Sequence, residues 1–149
     1  MSDVSKSEVL VELEQPLSIS GSPIVVPEGK TATIDLNGNS ISTTGLNDPN
    51  TSDAVVAVRR GGTLILEDIS SDASGVVDGA QVSSIYNALK LTEKGESADG
   101  DPAKIVVESG TYKGTYYGIS GNGGRQNTDV TINGGKFEGA TPDDSVAVY

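Results

Sequence analysis

The chain contains no cysteine, no histidine and no tryptophan, and a single methionine and a single phenylalanine, in 149 residues. Without Cys there is no disulfide framework and no thiolate metal site. Without His, the ordinary general base, zinc ligand and physiological-pH switch are missing as well. Cations are scarce, with 10 Lys and Arg against 21 Asp and Glu, a net charge of −11. Nucleic acids and anionic membrane surfaces are bound by clustered cations that release counterions, so neither is an expected partner. Long apolar runs are absent too. The stretch Ala54–Val58 is far short of the roughly 20 residues a spanning helix needs. Met1–Gln15 lacks the apolar core of a secretory leader.

What the chain has in abundance is glycine, 19 residues, set at the ends of short apolar steps. Ala103–Gly114 lies over Thr128–Gly139 with Ile105 on Val130, Val107 on Ile132, Gly110 on Gly135, Tyr112 on Phe137 and Gly114 on Gly139. The shared pattern is apolar-x-apolar-x-x-Gly-x-aromatic-x-Gly at an offset of 25 residues. Looser copies lie at Thr31–Ile41 and Gly62–Ile69, at spacings of 30 and 41 residues to the next copy. Another short apolar strand stands before each copy or after the last: Ile24–Val26, Ala54–Val58, Ala88–Leu91, Tyr117–Ile119 and Ser145–Tyr149. Self-similarity at a period of about 20 to 50 residues is the mark of a solenoid. One coil is then strand, turn, strand, turn.

In such a coil Ile34, Leu36, Leu64, Leu66, Ile105, Val107, Val130 and Ile132 point inward and stack, each rung burying its apolar side chains only against the next. The polar stretches 43–53 and 92–102 map to loops, and a short helix through Ser83–Leu91 is an alternative to the strand over Ala88–Leu91.

The run Pro16-Leu17-Ser18-Ile19, followed by Ile24–Asn39 (IVVPEGKTATIDLNGN) and by the later GTL, SGTYKG and NGGKFEG phrases, resembles the right-handed parallel β-helix proteins of the pectate-lyase-like superfamily. The resemblance covers about residues 13–149 and implies an all-β solenoid of about four to five coils. It says little about activity, since such rods serve as lyases, glycosidases, adhesins and phage fibres. In the lyases, acidic calcium ligands and an Arg base do the chemistry, which would point here to Asp68, Asp72, Arg59 and Arg60, although neither grouping matches a family motif. Arg59-Arg60-Gly61-Gly62 reads more simply as the turn between strands 54–58 and 63–67.

Paired carboxylates can hydrolyse glycosides across a separation of about 5 to 9 Å, and Glu67/Asp68, Asp99/Asp101 and Asp143/Asp144 are the available sets. Such neighbours are expected in so acidic a chain, and no device to raise a pKa accompanies them. Asp35-x-Asn37-x-Asn39 has the spacing of a calcium loop, but Ser40 takes the place of its invariant Gly and Leu46 that of its closing Glu, so an Asn-Gly turn is the better reading. No catalytic residue, metal ligand or cofactor site is assigned. Tyr116 and Tyr117 are adjacent, so one of them faces outward in a strand and is the candidate for stacking on a sugar ring. Tyr112 and Phe137, at matched positions, should stack on each other.

The chain divides into an N-terminal arm or cap, residues 1–15, and a β-solenoid, residues 16–149, expected to continue past the C-terminus. In the arm, Val9, Val11 and Leu13 alternate as a strand that covers the first coil or docks on another surface. Together these features resemble a phage head fibre or capsid-decoration protein. That resemblance implies a non-enzymatic virion protein, docked through its arm on a capsid or other virion protein, homotrimeric, and with a host-surface glycan as a further partner. The alternative is a secreted or cell-surface β-helix that binds or cleaves polysaccharide.

Overall fold

The computed structural model describes residues 7–46, 53–92, 99–121, 128–141 and 146–148. Alternating apolar positions in runs of three to seven residues, each closed by Gly, Asn or Pro, can form only short strands, and the described residues form fifteen of them and no helix. The first sheet contains β1 (Glu8–Glu12), β4 (Thr31–Asp35), β7 (Thr63–Glu67), β10 (Ala103–Val107) and β13 (Thr128–Ile132). The second contains β2 (Leu17–Gly21), β5 (Ser40–Leu46), β8 (Val76–Asp78), β11 (Thr111–Gly114) and β14 (Lys136–Gly139). The third contains β3 (Ile24–Val26), β6 (Ala54–Val58), β9 (Asn87–Leu91), β12 (Tyr117–Ser120) and β15 (Val146–Val148). Every pairing is parallel, and each strand lies on the strand three before it. The described residues form a parallel β-helix of five coils.

Register fixes the core. Ile34, Leu66, Val107 and Ile132 occupy successive levels of one column, and Ala32, Leu64, Ile105 and Val130 those of the next. In the second sheet the column is Leu17, Ile41, Val77, Tyr112, Phe137; in the third it is Ile24, Val56, Leu89, Ile119, Val148. The central members are buried, and a column of Val, Ile and Leu suits an interior only one side chain deep. Tyr112 and Phe137 stack with ring centroids 5.4 Å apart, as their matched positions require.

Five expectations need correction. The stretch from Thr43 to Leu46, read as the start of a loop, belongs to β5. Each coil has three strands, because the Gly-x-aromatic-x-Gly segment, read as a turn, pairs with its equivalents as the second sheet. The spacing from the Thr31 copy to the next is 32 residues, since Ile34 pairs with Leu66 and not Leu64. The two-residue difference preserves the inward phase and moves Leu36 into the corner after β4, where it is buried. No helix forms over Ser83–Leu91. Bonds from Val82 N–H to the Gly79 carbonyl and from Ile85 N–H to the Val82 carbonyl make successive turns, and β9 is drawn into the ladder between β6 and β12, tertiary pairing overriding a weak local preference. Val130 and Ile132 hold the expected register but are exposed, because β13 is the last strand of its sheet among the described residues.

The turns repeat as the strands do. Lys30 N–H bonds to the Pro27 carbonyl and Gly62 N–H to the Arg59 carbonyl, each turn having a positive-φ glycine, Gly29 or Gly61, at its third position. One lies on the other through a 3.1 Å bond from Gly29 N–H to the Gly61 carbonyl. Arg59-Arg60-Gly61-Gly62 is thus the turn its sequence suggests.

Candidate functional site

Two places on the rod gather side chains that chemistry could use. The first is the corner between the first and second sheets. After β4 the chain must turn through Asn37 and Gly38, both at positive φ, and their neighbours supply the groups that hold it. Asp35 Oδ1 accepts from Asn37 N–H at 2.9 Å and from Ile69 N–H, one coil on, at 3.2 Å. Asp68 repeats the device at the next level, accepting from Gly38 N–H at 2.9 Å, Ser70 N–H at 3.2 Å, Ser70 Oγ at 2.6 Å and Gly75 N–H at 2.6 Å. Ser109 Oγ continues upward, accepting from Asp68 N–H and donating to its carbonyl. Burial works against the Asp68 charge, but the hydrogen bonds from the Ser70 side chain and the Gly38, Gly75 and Ser70 amides outweigh it and hold the carboxyl below its ordinary value.

Asp35 and Asp68 therefore each clamp the backbone of two coils. Asn37 and Asn39 donate their side-chain amides to the Leu13 carbonyl, at 3.2 and 2.9 Å, which ties the turn to the coil below. Asp72 is exposed, and hydrogen bonds from Ser74 and Ser70 lower its pKa. Glu67 and Asp68 are not a facing pair: Glu67 ends β7 while Asp68 is buried in the following turn. Asp143 and Asp144 lie outside the described residues. Arg60 reaches Glu28 at 3.6 Å across the stacked turns. Among the described residues, no three acidic side chains converge as metal ligands would.

The second place is aromatic. Tyr116 precedes β12, and its ring meets that of Tyr86, from the coil below, edge to face with centroids 5.1 Å apart. Tyr117 lies 6.2 Å from Tyr116. The backbone fixes the group, since the N–H groups of Tyr116 and Tyr117 both bond to the Tyr86 carbonyl, at 3.0 and 2.8 Å. Tyr116 and Tyr117 are half-buried and Tyr86 is 45% exposed, so Tyr86 is the most open of the three. Sequence reasoning singled out the adjacent pair and missed Tyr86, which stands 30 residues upstream of Tyr116. The register of β9 on β12, which pairs Asn87 with Tyr117, is what puts Tyr86 directly under Tyr116.

The arm residues separate. Glu8–Glu12 pairs with β4 as the first strand of the first sheet, where Val9 and Val11 are exposed; Leu13 is buried in the core. Compared with protein-family models, curated proteins and solved structures, the chain matches none.

Proposed function

We propose that the protein is a non-enzymatic structural component of a virion, of the head-fibre or capsid-decoration type, with its N-terminal end on the particle and its β-helix projecting outward. One observation carries this reading: the side chains best suited to chemistry hold coils together instead. Asp35, Asp68 and Asn37 are engaged with the backbone of neighbouring coils, as is Asn87, which donates to the Asp53 carbonyl at 3.0 Å. Such ties make a stiff rod, and a net charge of −11 discourages rods from adhering side by side. Fractionation of the native source on a density gradient tests the proposal. The protein should band with intact particles and stay there through a salt wash; recovery only as free protein would overturn it.

A second reading, glycan binding, is favoured by the joining of Tyr86 to Tyr116 and Tyr117. Tyrosine rings present apolar faces and a hydrogen-bonding tip to a sugar. On a glycan array, Tyr86→Ala should lose the most binding and Tyr117→Ala less. Binding unchanged in Tyr86→Ala and Tyr116→Ala would remove the idea.

A further inference from the structure

Asparagine followed by glycine is a chemically labile step, because no Cβ on the glycine shields the asparagine side-chain carbonyl from the glycine nitrogen. The sequence has such steps at Asn37-Gly38, 122–123 and Asn133-Gly134, the second of which lies outside the described residues. The other two occupy the same corner, between the first and second sheets, in the second and fifth coils. The corner treats them differently. Gly38 N–H is taken by Asp68 Oδ1 at 2.9 Å and the Asn37 side-chain amide by the Leu13 carbonyl at 3.2 Å, so the nitrogen and the group it would attack are both held. Gly134 N–H instead shares the Val107 carbonyl with Asn133 N–H, at 3.4 against 2.8 Å, a length at which little of the bond remains. The Asn133 side-chain amide donates to both carboxylate oxygens of Glu108, each at 3.1 Å, a surface contact between two side chains that contributes little. Nor can the glycine be exchanged, since a Cβ at Gly134 would lie 2.4 Å from the Glu108 carbonyl oxygen. The turn therefore requires the labile step and leaves its nitrogen weakly held.

We propose that Asn133 is a site of self-modification, at which the Gly134 nitrogen attacks Asn133 Cγ in the folded protein and the side-chain amide leaves as ammonia. The Gly134 N–H proton goes to solvent base and the departing nitrogen takes a proton from water, so a new N–Cγ bond replaces the old one in a cyclic imide. Water then opens the imide. Cleavage of the N–Cγ bond gives aspartate, and cleavage of the bond to the main-chain carbonyl gives isoaspartate. The sum consumes water and releases ammonia, with no change in oxidation state. Either product sets a carboxylate against Glu108 where an amide donor stood, and like charges at that spacing repel. Isoaspartate also adds a methylene to the main chain between β13 and β14. Just beyond it, Lys136 N–H bonds to the Gly110 carbonyl at 2.9 Å and Phe137 falls on Tyr112. A lengthened turn disturbs that register and loosens the fifth coil. The coils below keep their ties through Asp35 and Asp68. The inference stands apart from the virion and glycan readings.

Peptide mapping of the full chain tests it. Folded protein and protein unfolded in urea are held side by side in mildly alkaline buffer and digested with trypsin, and fragmentation locates the acid form in peptides 31–59 and 126–136. In urea both Asn37 and Asn133 should convert. In the folded chain Asn133 should convert within about tenfold of its rate in urea, whereas Asn37 should slow by about 100-fold or more, the factor for a reaction gated by local opening of a clamp. Converted chains, separated on anion exchange by their added negative charge, should exchange the Lys136 amide hydrogen faster than unconverted ones. Asn133 left intact in the folded chain, Asn37 and Asn133 converting together there, or unchanged exchange at Lys136 in the product would each overturn the inference.

Discussion

Asp68 offers the sharpest test of the idea that the acidic corner is a clamp. The residue is 5% exposed, and its carboxylate accepts four hydrogen bonds, from Gly38 N–H, Ser70 N–H, Ser70 Oγ and Gly75 N–H. Hydrogen bonds to a charged group contribute about 1.5–3 kcal/mol each in isolation, and groups sharing one acceptor do not add. Asp68→Ala removes the acceptor and strands three backbone donors, so a loss of about 3–5 kcal/mol is expected, comparable to breaking a buried ion pair. Against a usual total of about 5–15 kcal/mol, that is a large share of the stability. Asp68→Asn keeps the shape but turns an NH₂ group toward a donor, for a loss of about 1–3 kcal/mol. Urea unfolding followed by circular dichroism measures both, with an unchanged slope if the unfolded state is unaffected. The pH dependence follows from the lowered folded-state pKa: the Asp68 contribution is complete well above the unfolded value of 3.8 and disappears as pH falls through 3.8 toward the lower folded value. In Asp68→Asn this acid limb should shrink. A loss below about 1 kcal/mol for Asp68→Ala, less than one ordinary hydrogen bond, would refute the clamp.

Gly114→Ala should be among the most damaging single-methyl additions, because a Cβ there would lie 2.1 Å from the Tyr117 carbonyl oxygen and 2.4 Å from that of Tyr86. Thermal melts should show a loss of about 3 kcal/mol or more, at or above the upper end of ordinary overpacking, against almost none for Gly121→Ala, whose Cβ would meet nothing closer than 3.9 Å among the described residues. Tyr112 donates to the Ser109 carbonyl at 2.6 Å, and burial, followed by the Asp68 charge, pushes its phenol well above the ordinary value of 10.0. Its neutral form therefore contributes stability that is complete below pH 10 and lost as pH rises beyond it, and Tyr112→Phe should flatten that alkaline limb in a pH series of urea melts while costing about 1 kcal/mol at neutral pH. Lys90 Nζ holds both carboxylate oxygens of Asp53, at 2.8 and 2.7 Å. Asp53→Ala leaves the more buried partner unpaired and should cost about 1–3 kcal/mol, more than Lys90→Met in the same assay.

Sequence alone determined the class of fold and much of its register. Apolar residues at alternate positions, closed by Gly or Asn every few residues, can satisfy their backbone only in short strands, and the 25-residue repeat put Ile105 on Val130 and Tyr112 on Phe137 without reference to any other part of the chain. The strands from Ile24–Val26 to Val146–Val148 were legible as one set for the same reason and form one sheet. Tertiary structure decided what local pattern leaves degenerate. A shift of two residues keeps every side chain on its face, so only pairing across coils could choose Leu66 over Leu64 as the partner of Ile34. Only the third sheet could make a strand of Asn87–Leu91, and only stacking could bring Tyr86 under Tyr116 or put the Asp68 carboxylate against the amides of Gly38 and Gly75. Those contacts join residues that are distant in sequence but adjacent in space, and their energy belongs to the space between coils.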